Sequence, residues 1–222
     1  EPLRLLAQDV RQEIAARALH ALETSRSSEA AYALQTVIPT SAPALRPVAE
    51  RCLRKLQFSG IPVEPLPPPD PRWRALISPV NGLGQQSVWF LQGSQLTSHV
   101  RFLNVLLSDR IGVAEAIGHT HVPVAILPSR RPPGSLHDVA LPDGSGAVVM
   151  LEAPFDLGRR LVIDSLAHNH ETQIPVAGIL RLLGSWLWGC STDSLPASRL
   201  AQPMSMGRRE AEWLLYHPAF AS

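Results

Sequence analysis

Two pairs of histidines, each spaced two residues apart, are the side chains in this sequence that most resemble metal ligands. They are His119 with His121, and His168 with His170. Histidines two apart on a strand lie on the same side and can share a metal ion. However, the first pair is predicted at the end of a loop and is followed directly by Val122-Pro123, so a regular strand is not expected there. The second pair is predicted at a helix C-terminus, where imidazoles interact favourably with the helix dipole. We therefore predict no metal site at either pair and no cofactor.

Glu152 and Asp156 are the best-spaced carboxylates for acid–base chemistry. They lie four residues apart across a predicted junction between a strand and a helix, after a loop that contains Asp143. Two carboxylates can act as general acid and general base, and long loops beside a rigid sheet often carry sites. A hydrolase with its site near residues 143–156 is therefore one alternative. Capping of the following helix by Asp156 is the simpler interpretation, so we expect a non-enzyme.

Two glycine-containing segments resemble catalytic or binding loops only in part. The sequence Gly82-Leu83-Gly84 imitates a dinucleotide-binding loop, but a predicted strand follows it instead of the helix N-terminus that would face a pyrophosphate. The sequence Gly144-Ser145-Gly146 is shorter than the nucleophile elbow of hydrolases and also lacks a following helix. Neither segment predicts an activity.

The densest group of basic side chains lies on the third predicted helix, at Arg46, Arg51, Arg54 and Lys55. A weak nucleic-acid-binding protein that uses this helix is a second alternative. The net charge of the chain is only +1, so no global field attracts it to nucleic acid or to an anionic membrane. We therefore expect neither a nucleic acid nor a membrane as partner.

Tryptophans near the C-terminus favour a role in protein binding. Trp186, Trp188 and Trp213 are three of the five tryptophans in the chain. Tryptophan is favoured as a buried anchor, either in a core or at a protein interface. We predict that Trp186 lies in the core and that Trp188, next to Gly189, is a surface anchor.

The leading functional prediction is a non-catalytic protein-interaction module. It acts through the helical N-terminal segment and the adjoining edge of the sheet, with Trp188, Arg51, Arg54 and Lys55 as interaction residues. The partner is another protein or a second copy of the chain. The sequence does not indicate the pathway.

Composition places the chain among folded proteins. It has 222 residues, of which 45% are hydrophobic and 18% charged, enough to bury a substantial core. Cys52 and Cys190 are the only cysteines, and Cys52 falls on the apolar side of a predicted helix, so we expect a reduced, buried thiol. The first residues lack the pattern of a signal peptide and no apolar run is long enough to span a membrane. These features predict a cytoplasmic protein.

Hydrophobic periodicity predicts helices at both ends of the chain. In the N-terminal segment, residues 1–60, the third helix follows the pattern Leu45, Val48, Ala49, Cys52, Leu53 and Leu56. Ser41 is its predicted cap and Gly60 its predicted end. Three short amphipathic helices of this kind resemble one HEAT-like unit. Residues 61–72 contain six prolines and predict a stiff linker.

The remaining residues, 73–222, predict a mixed α+β domain. Apolar segments at residues 75–91, with a turn at Asn81-Gly82, and at residues 100–107, 122–127 and 147–151 predict a mostly antiparallel sheet. Residues 129–146 read as a loop, and residues 156–168, 175–187 and 206–216 as helices. Because several strands are apolar on both faces, we expect helices from the two ends of the chain to cover both faces.

Four short segments resemble an uncharacterised bacterial family with a HEAT-like helical segment followed by a small mixed domain. They are AERCLRKL at residues 49–56, SPVNGLG at 78–84, LLSDRIGV at 106–113 and HNHETQIP at 168–175. The resemblance implies the same two-part organisation. It implies no activity, substrate or catalytic residue.

Overall fold

Four α-helices form the first part of the fold. The computed structural model describes residues 1–93, 98–140 and 146–198. The helices are α1 (Pro2–Leu6), α2 (Gln12–Ser25), α3 (Ser28–Val37) and α4 (Arg46–Phe58), with a 3₁₀ turn at Ile38–Thr40. Eight of the fifteen buried residues in their shared core are alanines. Such small side chains allow the helices to pack at short interaxial distances.

The two ends of α4 differ in how well the sequence predicted them. At the C-terminal end, Gly60 has φ +83° and the amide of Ile61 donates to the carbonyl of Leu56 over 3.1 Å, as in a Schellman motif. At the N-terminal end, the predicted cap at Ser41 is wrong. The Ser41 hydroxyl donates to the Val37 carbonyl over 3.0 Å, and the helix begins only at Arg46.

The proline-rich segment between α4 and the sheet packs along the helices. The side-chain amide of Gln35 donates to the carbonyl of Glu64 over 2.9 Å, and the amide of Ser191 donates to the carbonyl of Pro67 over 2.7 Å. Ile61 and Val63 pack against the helical core. The segment therefore connects both parts of the fold and does more than separate them.

A six-stranded antiparallel sheet follows, which confirms the predicted α+β class. Its strands are β1 (Trp73–Ile77), β2 (Gln85–Gln92), β3 (His99–Ser108), β4 (Gly112–Pro123), β5 (Leu136–Ala140) and β6 (Ala147–Ala153). Their spatial order is β4-β3-β2-β1-β6-β5, and every neighbouring pair is antiparallel. The late strand β6 thus pairs with β1, the first strand in the chain.

The predicted hairpin between β1 and β2 is confirmed, but its turn is longer than two residues. The amide of Gly84 donates to the carbonyl of Asn81 over 2.9 Å, and the side chain of Asn81 accepts from the amides of Leu83 and Gln85. Gly84, with φ +72°, is the left-handed residue of this turn. A turn of this kind is a common hairpin connection.

Two strands were not predicted from the sequence. β4 contains alternating small, polar and charged residues, and the segment predicted as a strand at residues 122–127 supplies only its last two residues before a 3₁₀ turn at Val124–Ile126. β5 lies inside the stretch predicted as a loop at residues 129–146. Both are the edge strands of the sheet, where fewer positions are buried and the apolar pattern is correspondingly weak.

Three C-terminal helices cover one face of the sheet: α5 (Phe155–Thr172), α6 (Gly178–Leu183) and α7 (Ser185–Trp188). The predicted helix at residues 206–216 lies outside the described residues. The N-terminal helices pack behind α5–α7, where Arg4 donates to the Leu182 carbonyl and His170 to the Thr40 carbonyl, each over 2.8 Å. The expectation that helices from the two chain ends cover both faces is therefore wrong for the described part of the chain.

The segment after β4 lies over the second face: Leu127 packs against the cluster of Leu76, Leu91, Val139 and Met150, and Arg74 donates to the carbonyls of Pro128 and Ser129. None of the helices within residues 1–93, 98–140 and 146–198 combines the length and apolarity needed to cross a lipid bilayer.

Candidate functional site

One side of α4 is a continuous exposed surface with basic and aromatic side chains. Arg51, Arg54, Lys55 and Phe58 lie at helical spacings of three, four and seven residues, so they share one side of the helix. All four are exposed, and Phe58 is 88% exposed. Ala49, Cys52 and Leu56 lie on the opposite side and are buried in the helical core. We call the four exposed residues the basic face of α4.

The charges on the basic face are only partly neutralised. The ammonium of Lys55 pairs with Glu23 on α2 at 2.8 Å. Arg51 and Arg54 form no ion pair or side-chain hydrogen bond with any residue in the described part of the chain. Both guanidinium groups are thus unpaired within residues 1–93, 98–140 and 146–198 and exposed to solvent, where they can meet carboxylates of another molecule.

Of the predictions for Trp186 and Trp188, the one for Trp188 is wrong, whereas Trp186 packs against the main core as a partly buried residue. Trp188 is 1% exposed, and the guanidinium carbon of Arg159 lies 5.5 Å from its ring centroid. It therefore offers no surface to a partner, and the prediction of a surface anchor is wrong. Trp186 is half-buried, beside Trp73 at 6.3 Å, with Arg101 over its ring. Trp213 lies outside the described residues.

The two carboxylates of the predicted hydrolase site do not form a pair. Glu152 is 2% exposed and points to the second face of the sheet, where its Oε2 lies 2.8 Å from both Arg74 Nη1 and His137 Nε2. Asp156 lies on α5 over the other face and accepts from Arg159 and Ser194. It forms no cap hydrogen bond, so the predicted capping role is also wrong. Asp143 is outside the described residues.

The histidine pairs have different surroundings. His119 and His121 are exposed on β4, the edge strand. On α5, His168 Nε2 donates to the Arg110 carbonyl over 2.9 Å, whereas His170 donates to Thr40 in the N-terminal helices. The His168 and His170 rings therefore connect α5 to two different parts of the fold. This agrees with a structural role at the helix C-terminus.

Three of the segments that carried the sequence resemblance meet at one end of the sheet. The amide of Asp109 donates to the Gly84 carbonyl over 3.0 Å, and the amide of Val113 donates to the side chain of Asn169 over 2.6 Å. Gly112 has φ +81°, and a Cβ there would lie 2.3 Å from the Asn169 side chain. Backbone geometry and close packing therefore both favour glycine at this junction.

A cleft of about 530 Å³ opens beside this junction, and we call it the end cleft. Its lining consists of Val80, Gly84, Gln86, Leu107, Ser108, Asp109, Leu161, Asp164, Ser165, Ala167, His168 and Glu171. Three of these residues are carboxylates and none is lysine or arginine. The cleft thus combines apolar walls with three carboxylates, of which Asp164 also pairs with Arg160 at 3.5 Å.

The end cleft was not found from the sequence, although one signal for it was present. Asp164, His168 and Glu171 follow the spacing i, i+4, i+7 and thus form a polar stripe along α5, next to its apolar one. What the spacing does not show is that Asp109, from the turn between β3 and β4, lies opposite this stripe. That placement depends on the pairing of distant segments.

No protein-family model, curated protein or solved structure matches the chain. The resemblance to a bacterial family with a HEAT-like segment stays a prediction.

Proposed function

We propose that the chain is a non-catalytic protein-interaction module whose basic face of α4 binds an acidic segment of a partner protein. The observation that carries this proposal is the pair of exposed arginines, Arg51 and Arg54, which have no partner among the described residues and lie beside the 88% exposed ring of Phe58. Arginine and aromatic residues are enriched at protein interfaces and dominate their binding energy.

The chemistry of this surface favours an acidic peptide. Guanidinium groups bind carboxylates through two parallel hydrogen bonds, and Phe58 offers an apolar contact at the end of the same stripe. Burial of the Phe58 ring by a partner would remove from water a side chain that the fold itself leaves exposed. An acidic segment that also contains apolar residues would therefore match both features.

The same surface is a poor match for nucleic acid. Nucleic-acid binding usually depends on many phosphate contacts, spread over a strongly basic surface. Here the net charge of the chain is +1, Lys55 is paired with Glu23, and Glu50 lies on the same helix. We therefore treat nucleic-acid binding as an outcome that the experiment must distinguish.

The proposal is tested with a short fluorescent peptide of Glu, Asp and Leu residues and, in parallel, with fluorescent duplex DNA. The double variant Arg51→Glu/Arg54→Glu should bind the peptide at least about tenfold more weakly, since each charge-assisted hydrogen bond contributes roughly 1.5–3 kcal/mol and 1.4 kcal/mol is tenfold. Phe58→Ala should weaken binding less. Fluorescence anisotropy measures the affinities of the unmodified protein, the double variant and Phe58→Ala.

A matched control distinguishes the loss of Arg51 and Arg54 from the change in net charge that their replacement causes. Arg17 on α2 and Arg110 in the turn before β4 are exposed as well, and Arg17→Glu/Arg110→Glu causes the same change in net charge. This control should bind the peptide like the unmodified protein. Equal losses in both double variants, or tighter binding of DNA through Arg51 and Arg54, would contradict the proposal. Affinity capture from the source organism, with the same two double variants, then identifies the partner.

A second function is favoured by the end cleft, which suits a small organic cation with an apolar part. Asp109, Asp164 and Glu171 line the cleft together with Val80, Leu107 and Leu161, and a bound amine would compete with Arg160 for Asp164. A panel of aliphatic amines and diamines should raise the unfolding temperature, and Asp164→Asn/Glu171→Gln should remove the effect. Glu13→Gln/Asp138→Asn, at exposed acids outside the cleft, should not. Absence of a shift with every amine would contradict this function.

A further inference from the structure

Three side chains that commonly bind transition metals meet between α2 and α4. His20 and Glu23 lie one turn apart on α2, and Cys52 lies in the middle of α4. The distance from Cys52 Sγ to His20 Nδ1 is 3.9 Å, and from His20 Nδ1 to Glu23 Oε2 it is 3.5 Å. The three ligand atoms all lie within 4.8 Å of one another. Within the described residues, no other group of three or more such side chains meets this criterion.

These distances are close to those of a tetrahedral zinc site. With Zn–S near 2.3 Å and Zn–N and Zn–O near 2.1 Å, tetrahedral angles place sulfur and nitrogen about 3.6 Å apart and nitrogen and oxygen about 3.4 Å apart. The observed 3.9 and 3.5 Å exceed these values by only a few tenths of an ångström. Small rotations of the side chains are sufficient to bring these atoms into coordination distance.

The state of the three side chains also points to a cation. Glu23 Oε1 accepts from Lys55 over 2.8 Å, whereas Glu23 Oε2 is buried, faces His20 Nδ1 at 3.5 Å and has no well-formed hydrogen bond within the described residues. A buried polar atom without a partner is rare in folded proteins and requires an explanation, such as a bound ion. Cys52 is fully buried, while His20 is exposed and leaves one side open to solvent.

We propose that His20 Nδ1, Glu23 Oε2 and Cys52 Sγ bind a zinc ion, with water as the fourth ligand on the solvent side. Sulfur, imidazole and carboxylate together match zinc and do not match calcium or magnesium, which bind oxygen ligands. The ion satisfies the orphaned oxygen of Glu23 and joins α2 to α4. Neither Arg51 nor Arg54 takes part, but the site adjoins the basic face of α4, because Lys55 pairs with Glu23 Oε1.

Zinc binding releases a proton from Cys52. Cys52 is fully buried, and an apolar environment favours the neutral thiol over the thiolate while no metal is bound. On binding, the sulfur–hydrogen bond breaks, the proton leaves to solvent and the thiolate electron pair forms the bond to zinc. The charges of Zn²⁺, one thiolate and one carboxylate then sum to zero, and a site without net charge suits a partly buried position.

The test is a titration of the chelator-stripped protein with zinc and with cobalt(II) as a spectroscopic substitute. Stoichiometric binding is expected, with a sulfur-to-cobalt charge-transfer band and the visible bands of four-coordinate cobalt. Cys52→Ser and His20→Asn should each weaken zinc binding at least about tenfold, because even a change in the residues that orient metal ligands costs 10- to 100-fold. Cys52→Ser should also remove the charge-transfer band.

Matched controls are available elsewhere in the chain. Cys190→Ser replaces the other buried thiol, and His119→Asn replaces an exposed histidine on β4. Both should bind zinc like the unmodified protein. If Cys52→Ser fails to fold, His20→Asn carries the test, because His20 is exposed. Six-coordinate cobalt without the sulfur band, unchanged affinity in His20→Asn, or an equal loss in His119→Asn would overturn the proposal.

Discussion

The two faces of the sheet differ in the side chains that they bury. On the face covered by α5–α7, the inward side chains are apolar, and Ala75, Val88, Phe90, Leu103 and Val105 are all fully buried. The second face also buries apolar residues, but among them lie Arg74, His137 and Glu152, with 11%, 3% and 2% of their side chains exposed. The difference follows from what covers each face.

A helix satisfies its own backbone, whereas an irregular segment brings unpaired carbonyl groups to the surface it covers. On the second face, Arg74 donates to the carbonyls of Pro128 and Ser129, which belong to the covering segment. Glu152 neutralises Arg74, and the His137 ring supplies a second hydrogen bond to the same carboxylate oxygen. The buried charges are thus the partners that a loop-covered face needs.

The largest expected effect comes from the covered face. Phe90 is fully buried, packs edge-to-face with Phe155 at 5.7 Å and lies directly against Gly158. Phe90→Ala should lower the free energy of unfolding by about 3–5 kcal/mol, because it removes apolar contacts and leaves a cavity. Urea denaturation measures this change.

The comparison variant for Phe90→Ala is Phe102→Ala, at a half-buried aromatic position on the second face. It should cost clearly less, because the site is already in contact with solvent. Equal costs would mean that the second face is as closely packed as the first, and the contrast between them would fail.

The same contrast explains how much of the fold could be predicted from the sequence. The covered face gave clear signals, because β1, β2 and β3 carry apolar residues at the positions that α5–α7 bury, and the helices show matching periodicity. The free, buried state of both cysteines also agrees with the prediction for Cys52. These features depend on local pattern, which a single sequence contains.

Features that depend on long-range pairing could not be predicted in this way. Glu152 was recognised as a candidate, but only the pairing of β6 with β1 places it beside Arg74, 78 residues earlier in the chain. His20 and Cys52 likewise meet only because α2 packs against α4. Trp188 was assigned to the surface because its neighbour is glycine, whereas the buried guanidinium of Arg159 packs over its ring.

An intermediate effect is expected at the buried charges of the second face. Glu152→Gln removes the charge that neutralises Arg74 and leaves a buried cation without a counter-ion, so it should cost about 3 kcal/mol. The double variant Arg74→Met/Glu152→Gln removes both charges and should recover part of that loss. With the single variant Arg74→Met and the unmodified protein, these form the four members of a double-mutant cycle, which thermal denaturation measures. A double variant with the summed cost of the two single changes would show that the charges do not interact.

The smallest effect is expected at Asp70 and Arg72, an ion pair of the same chemistry that lies outside both faces. Their side chains are 26% and 60% exposed, and the bonds from Arg72 hold the pKa of Asp70 well below its usual range. A carboxyl whose pKa is lowered on folding stabilises the fold above its unfolded pKa, about 3.9, and loses this contribution as the pH falls towards its folded pKa. Asp70→Asn should therefore lower the unfolding temperature by roughly 1–3 °C at neutral pH, as for an exposed pair. The difference from the unmodified protein should shrink below about pH 4.

Because Glu152 is buried and bound to two partners, Glu152→Gln should show the larger effect at neutral pH. A loss in Asp70→Asn as large as that in Glu152→Gln would mean that burial is not what distinguishes the two arginine–carboxylate pairs.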